Sequence, residues 1–163
     1  DGLVRALERP IGRVPEPKGP ACGSSARDIC EGGHKMPKIC LTSKRGPRAV
    51  GPYSIAVRAG RLVFCSGLIG LDPATGEMVP GGIADQTRQV MENLQAVLED
   101  NGLGLGAVVK TTCFLTDLGS FAEFNEVYAR FFGDDPPARS TVQVGALPKD
   151  ALVEVEALAI IDS

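Results

Sequence analysis

Apolar and polar positions along this chain alternate, shift to a helical period, and then repeat that change once before a last pair of alternating runs. Ile39 to Leu41, Tyr53 to Arg58 and Leu62 to Ile69 read as strands, the last two joined through Ala59-Gly60 as a hairpin. Gly46-Pro47 and Gly51-Pro52 punctuate the lead-in, and Asp72-Pro73-Ala74-Thr75-Gly76 has turn chemistry. Val90, Met91, Leu94, Val97 and Leu98 then recur at helical spacing, with Asp85, Arg88, Gln89, Glu92 and Gln95 on the opposite side. That pattern predicts an amphipathic helix of roughly five turns, capped near Gly102. Val108 to Leu115 returns to strand sequence, and Ser120-Phe121-Ala122-Glu123 predicts a capping box that starts a second helix. Phe121, Phe124, Val127, Tyr128 and Phe131 give this helix an aromatic stripe that reads as core, and Gly133 ends it. After the loop Asp134 to Pro137, a strand over Arg139 to Val144, a Leu147-Pro148-Lys149-Asp150 turn and a final strand close the chain.

The final strand carries the tension in the pattern. Val153, Val155, Ala157, Ala159 and Ile161 share one face, while Glu154 and Glu156 stand with Leu152, Leu158 and Ile160 on the other. Carboxylates among aliphatics fit an edge strand with a half-solvated second face, where Glu guards against aggregation. They equally fit a face buried against another subunit, where a charge must be paired or used. The element order predicts an α+β fold, a two-layer sandwich with a mixed sheet and two helices on one face. The uncovered face then exposes an apolar patch, and a symmetric homo-oligomer is the expected remedy, with Arg139 and the Glu pair near subunit boundaries.

Composition narrows the setting. A chain of 163 residues that is 44% hydrophobic has room for one domain with a real core. Residues 1–35, with Pro10, Pro15, Pro17 and Pro20 and no sustained period, read as a disordered N-terminal extension, leaving 36–163 as the single domain. Five acidic residues interspersed among its four arginines argue against a transit peptide, and Met36 directly before a strand-like KICLT is the expected native start, with vector or upstream sequence before it. No apolar run approaches the ~20 residues of a membrane span, and no secretory signal opens the sequence, so a soluble, cytoplasmic protein is expected. Of 17 Lys/Arg and 20 Asp/Glu, six and five lie in the first 35 residues, so the remainder carries eleven against fifteen. That acidic balance disfavours a nucleic-acid groove.

Cys22, Cys30, Cys40, Cys65 and Cys113 form no C-x-x-C pair and read as reduced thiols, those at 65 and 113 as small buried hydrophobes. The single histidine, His34, lies outside the apparent core, which removes Ser-His-Asp, Cys-His and multi-histidine metal chemistry together. Gly102, Gly104 and Gly106 follow a helix and precede a strand, the reverse of the dinucleotide-binding context. Ser66-Gly67 at a strand end is either a bulge or a place where backbone N–H groups meet a small anion. Arg139 is either half of a surface ion pair or a fork for a planar carboxylate.

As a set, GPYSIAV (Gly51 to Val57), CSG with LDPATGE (Cys65 to Gly67, Leu71 to Glu77), FNEVYARFF (Phe124 to Phe132) and PARSTVQV with LPKD and VEVEALAI (Pro137 to Ile160) resemble the Rid family of reactive-intermediate deaminases, also called the YjgF family. Separate motifs occur in the family's order and spacing from about Met36 to Asp162. The resemblance implies a chorismate-mutase-like fold, a homotrimer with clefts between subunits, and no metal or organic cofactor. It also implies hydrolysis of enamine and imine intermediates such as 2-aminoacrylate and 2-aminocrotonate to 2-ketoacids and ammonia, downstream of pyridoxal-phosphate-dependent dehydratases acting on serine or threonine. By position, Arg139 matches the arginine that binds the substrate carboxylate and Glu154 the glutamate near the attacking water. Tyr53, Ser66 and Gly67 match pocket-lining residues, and Asn125 an asparagine of the site region. Thr141 stands where many relatives carry cysteine, and Leu68 where glutamine is frequent, a change expected to alter pocket polarity.

The implied chemistry suits these residue types. An imine bearing an α-carboxylate is already electrophilic, so the protein need only hold it, support its protonated form and orient water. Arg139 would anchor the carboxylate and Glu154, its pKa raised by burial, would position water or assist proton transfer. Two other classes stand beside this one: an RNA-cleaving inhibitor of translation, and a non-catalytic, chaperone-like trimer that binds small carboxylates.

Overall fold

The computed structural model describes residues 37–161. The expected disordered extension at 1–35, the Met36 start, His34, Cys22 and Cys30 lie outside the described residues. Six strands, β1 (Lys38–Leu41), β2 (Ala56–Ala59), β3 (Leu62–Ile69), β4 (Val108–Leu115), β5 (Ala138–Gln143) and β6 (Val153–Ile160), form one mixed sheet in the order β1-β2-β3-β6-β4-β5. Only β4 and β5 run parallel, joined through helix α2 (Phe121–Phe132), and the other pairs are antiparallel. Helix α1 (Ile83–Glu99) connects β3 to β4 and packs on α2, β3 and β6, giving the two-layer α+β arrangement that the pattern predicts.

β6 corrects one expectation. It is not an edge strand: it lies between β3 and β4, in the centre of the sheet. Its alternation is nevertheless strict, with Val153, Val155, Ala157 and Ala159 buried beneath the helices. Across the register, Val63 and Val108 face Ala159, Cys65 and Thr111 face Ala157, and Leu68 and Cys113 face Val155, so one row of small and branched side chains forms the floor of the core. Val90, Met91, Leu94, Val97 and Leu98 of α1 close it from above. On the other face Phe64 stands opposite Leu158, and Leu62 opposite Ile160, with Phe64 49% exposed. An apolar sheet surface is therefore uncovered in the protomer, as expected.

Helix ends also differ from the sequence reading. Ser120 makes no side-chain capping bond, because it closes a 3-10 turn over Leu118–Ser120 that leads directly into α2. Asp117 accepts from Gly119 N at 2.7 Å instead, so the cap sits one turn earlier. Tyr53 lies in a bend before β2 rather than within it. Gly102, at φ 77°, supplies the left-handed residue just past α1 that lets Leu103 N reach back to Leu98 O at 2.9 Å.

A clamp fixes the lead-in segment. Ser43 Oγ and the N–H groups of Lys44 and Arg45 all donate to Asp100 Oδ2, at 2.7, 2.7 and 3.0 Å, and Arg45 Nε donates to Asp100 Oδ1 at 2.7 Å. Arg45 also bridges Glu99 at 3.0 Å. These bonds, the backbone N–H of Arg45 foremost, hold the Asp100 carboxyl far below the usual carboxylate range. Two carboxylates at a helix C-terminus oppose its dipole, and Arg45 offsets them while carrying Pro47 to Val50 toward the sheet.

Candidate functional site

The first half of the site forms on the uncovered face around a bulge. Pairing of β3 with β6 slips between Cys65 and Leu68, and Ser66 and Gly67 occupy the irregularity, so the bulge reading of that dipeptide holds. Ser66 is tied twice to the segment entering β2: its N–H donates to Ile55 O at 3.0 Å and its hydroxyl to Ser54 O at 2.7 Å. Gly67 lies directly under Glu154, close enough that a Cβ there would overlap the carboxylate. Tyr53, Ser66, Gly67 and Glu154 line one cleft of about 460 Å³, bordered by Arg48 and Lys149. Burial, with the Glu156 charge second, pushes the Glu154 carboxyl above its ordinary value. Lys149 and Asp150 both hold positive φ, 54° and 55°, and Lys149 Nζ donates to Gly76 O at 2.8 Å, which pins the strained turn beside the cleft.

The second half forms at the opposite edge of the helix-covered layer. Arg139 pairs in register with Thr111, which faces Ala157 of the core, so its side chain emerges on the helix side of the edge strand β5. Its guanidinium carbon lies 4.7 Å from the ring centre of Tyr128, 5.4 Å from Phe124 and 5.5 Å from Phe121. Among the described residues Arg139 forms no ion pair, which sets aside the surface-pair reading. Leu118, Phe121, Arg139 and Thr141 line an open cavity of about 420 Å³. The Thr141 hydroxyl is buried there without a hydrogen-bond partner among the described residues.

The two halves do not meet within one protomer. Glu154 stands opposite Phe114 and Ile69 on the open face, whereas Arg139 shares the parity of Thr111 and Ala157 on the covered face. Asn125 is half-buried on α2 and lines neither cavity. Leu68 borders the first cleft, but it is 2% exposed and belongs to the core cluster, so its side chain serves packing more than pocket polarity. Burial pushes the Cys65 and Cys113 thiols up to about 11, as suits core residues rather than nucleophiles. Among the described residues no group of three or more His, Cys, Asp or Glu is placed to hold a metal ion, and no helix is long and apolar enough to cross a membrane. Sequence reasoning missed Arg48 and Lys149 at the first cleft and the three rings around Arg139 at the second. The rings were visible as a stripe at helical spacing, but nothing in spacing alone says that the next strand's arginine lies over them.

Comparison with known proteins places this geometry in context. A family model described as Endoribonuclease L-PSP matches residues 43–161. A RutC family protein of Pyrococcus horikoshii is 50% identical over 122 residues, covering 75% of this chain and 97% of that relative. The 2-iminobutanoate/2-iminopropanoate deaminase of Mus musculus is 43% identical over 123 residues, covering 76% and 90% respectively. Among solved structures, E. coli TdcF with bound serine superposes with a TM-score of 0.73 at 43% identity, covering 76% of this chain and 99% of that one.

Proposed function

The chain belongs to the Rid/YjgF family, and from that premise we propose that it hydrolyses the imines that arise from enamines such as 2-aminoacrylate and 2-aminocrotonate, releasing 2-ketoacids and ammonia. The observation that carries this reading is a pair of opposite charges held apart: an arginine that forms no ion pair among the described residues at one edge, and a desolvated carboxyl in a cleft on the other face. Because one protomer cannot bring them together, the site is completed between copies, and a homotrimer closed over the exposed apolar face is the assembly proposed. In that site Arg139 grips the substrate carboxylate through two parallel N–H···O bonds, with Thr141 beside it in the lining of the same cavity. Ser66 and Gly67 shape the floor beneath the imine carbon, and Tyr53 forms a wall. Asn125, on the helix that carries the Arg139 cage, is assigned to the periphery of the site.

Hydrolysis then balances simply. Water held by Glu154 adds to the protonated C=N carbon and gives up a proton to the carboxylate, forming a carbinolamine. Return of that proton to nitrogen lets the C–N bond break: ammonia leaves with the bonding pair while the hydroxyl proton passes to the Glu154 carboxylate, leaving the oxygen of water as the ketone, and that proton leaves with the ammonia as ammonium. The raised pKa of Glu154 suits both directions of transfer. The reading places the protein in the cytoplasm, downstream of pyridoxal-phosphate-dependent dehydratases, with no nucleic acid or further cofactor required.

The test is the rate of 2-ketobutyrate release when a threonine dehydratase acts on threonine in the presence of semicarbazide, which traps the imine. Wild type is expected to divert flux from semicarbazone to ketoacid, and Arg139→Ala is not. No change in that partition by folded, oligomeric wild type would sink the reading. The description of the matching family model favours a second one, RNA cleavage. It predicts salt-sensitive RNA binding, against the acidic balance of the domain.

A further inference from the structure

We infer that Phe121, Phe124 and Tyr128 form an aromatic clamp that positions Arg139 while leaving its hydrogen-bonding fork free, which makes them positioning residues for carboxylate recognition. This rests on the carboxylate-anchoring role of Arg139 proposed above. The usual way to hold an arginine is a carboxylate partner, but that partner would occupy the N–H groups a substrate needs. Ring faces attract the guanidinium through their quadrupole and make no demand on those donors. All three centroids lie within 5.5 Å of the Arg139 guanidinium carbon. The rings form a ladder down α2, with centroids 6.4 Å apart from Phe121 to Phe124 and 5.4 Å from Phe124 to Tyr128. The nearest ring is also tethered by a hydrogen bond: Tyr128 OH lies 2.7 Å from Thr111 Oγ1, and Thr111 is the register partner of Arg139 itself. The strand neighbour of the arginine thus fixes the ring that fixes the arginine.

Phe121 is the ring to change, because it is 36% exposed at the start of α2 and its replacement leaves the core intact. The probe is 2-ketobutyrate, which carries the carboxylate and does not turn over. Phe121→Leu is expected to weaken it about three- to fivefold and to raise KM similarly with little change in kcat, while Phe121→Tyr restores wild-type values. Binding of the neutral amide, 2-ketobutyramide, is expected to be the same in wild type and Phe121→Leu. Wild-type affinity for 2-ketobutyrate in Phe121→Leu, with Arg139→Ala unable to bind, would overturn the clamp and leave the anchor standing. Equal loss of the amide would reduce Phe121 to nothing more than an apolar wall of the cavity it lines and also overturn the clamp. Retained affinity in Arg139→Ala would remove the anchor itself, and the clamp with it.

Discussion

The two halves of the candidate site hold charge by different physics. Around Arg139 the protein supplies polarisable faces, three aromatic rings on a helix, and among the described residues no ion-paired acid. Around Glu154 it supplies desolvation, a bulge and a glycine tight against the carboxyl, with the charge of a second acid, Glu156, adding to the effect of burial. The cation is stabilised as it stands, and the anion is made reluctant to ionise. The contrast teaches that neither half is built to neutralise itself. An arginine that keeps its fork open suits binding, and a carboxyl whose pKa has been pushed toward neutrality suits proton transfer.

Removing one half outright should have the largest effect. Arg139→Ala is expected to lower kcat/KM for the imine by at least about 100-fold with the oligomer intact by size-exclusion chromatography, since the anchor and its charge are both lost. Arg139→Lys should also fail substantially, because a point charge lacks the fork. Full activity in either variant would end the anchoring role. Next in size is Gly67→Ala, whose new methyl overlaps the Glu154 carboxylate and must drive it aside. Displacement of a proton-transfer group by a fraction of its working distance should reduce kcat on the order of 10- to 100-fold. Unchanged kcat there would mean that the position of Glu154 is not critical.

A milder experiment asks whether the halves belong to different copies. Arg139→Ala and Glu154→Gln are each expected to be inactive alone, but co-expressed chains should recover activity. With random pairing, roughly a quarter of inter-copy clefts receive one intact arginine and one intact glutamate from different chains. Recovery to about that fraction supports sites shared between copies; no recovery, with mixed oligomers verified by mass spectrometry, would place both groups in one protomer's reach and contradict the opposed parity of Arg139 and Glu154.

Much of this was legible in the sequence, and the gaps have physical causes. Alternation in Val153–Ile160 fixed which side chains are buried, because period two is a property of any strand, but strand order is set by pairing across the sheet, so the central place of β6 was hidden. The helical stripe of Val90 to Leu98 was equally plain, whereas buried Gln86 and Asn93 on that helix were not. They serve irregular backbone elsewhere, Gln86 accepting from Leu152 N at 2.8 Å and Asn93 donating to Leu71 O at 2.8 Å. The Ser120 capping box failed because a 3-10 turn took its place. Family motifs located Arg139 and Glu154, yet only register shows that they sit on opposite faces.

The smallest expected effect tests how isolated the Glu154 half is, through thermal stability against pH. Burial, then the Glu156 charge, raises the folded pKa of Glu154 above its ordinary 4.5. A carboxyl raised on folding binds its proton more tightly in the native state than in the unfolded chain. Its stabilising contribution is therefore fully present below 4.5 and is lost as pH rises through the folded value. Glu154→Gln removes this one titration and leaves the others in place. The Tm of wild type relative to Glu154→Gln should accordingly be most favourable at acid pH and decline as pH is raised past 4.5. The reverse trend would mean that a cation reaches Glu154 in the assembly and outweighs its burial. Repeating the series in an Arg139→Ala background then identifies that cation, because a gain supplied by a neighbouring copy's guanidinium disappears with it.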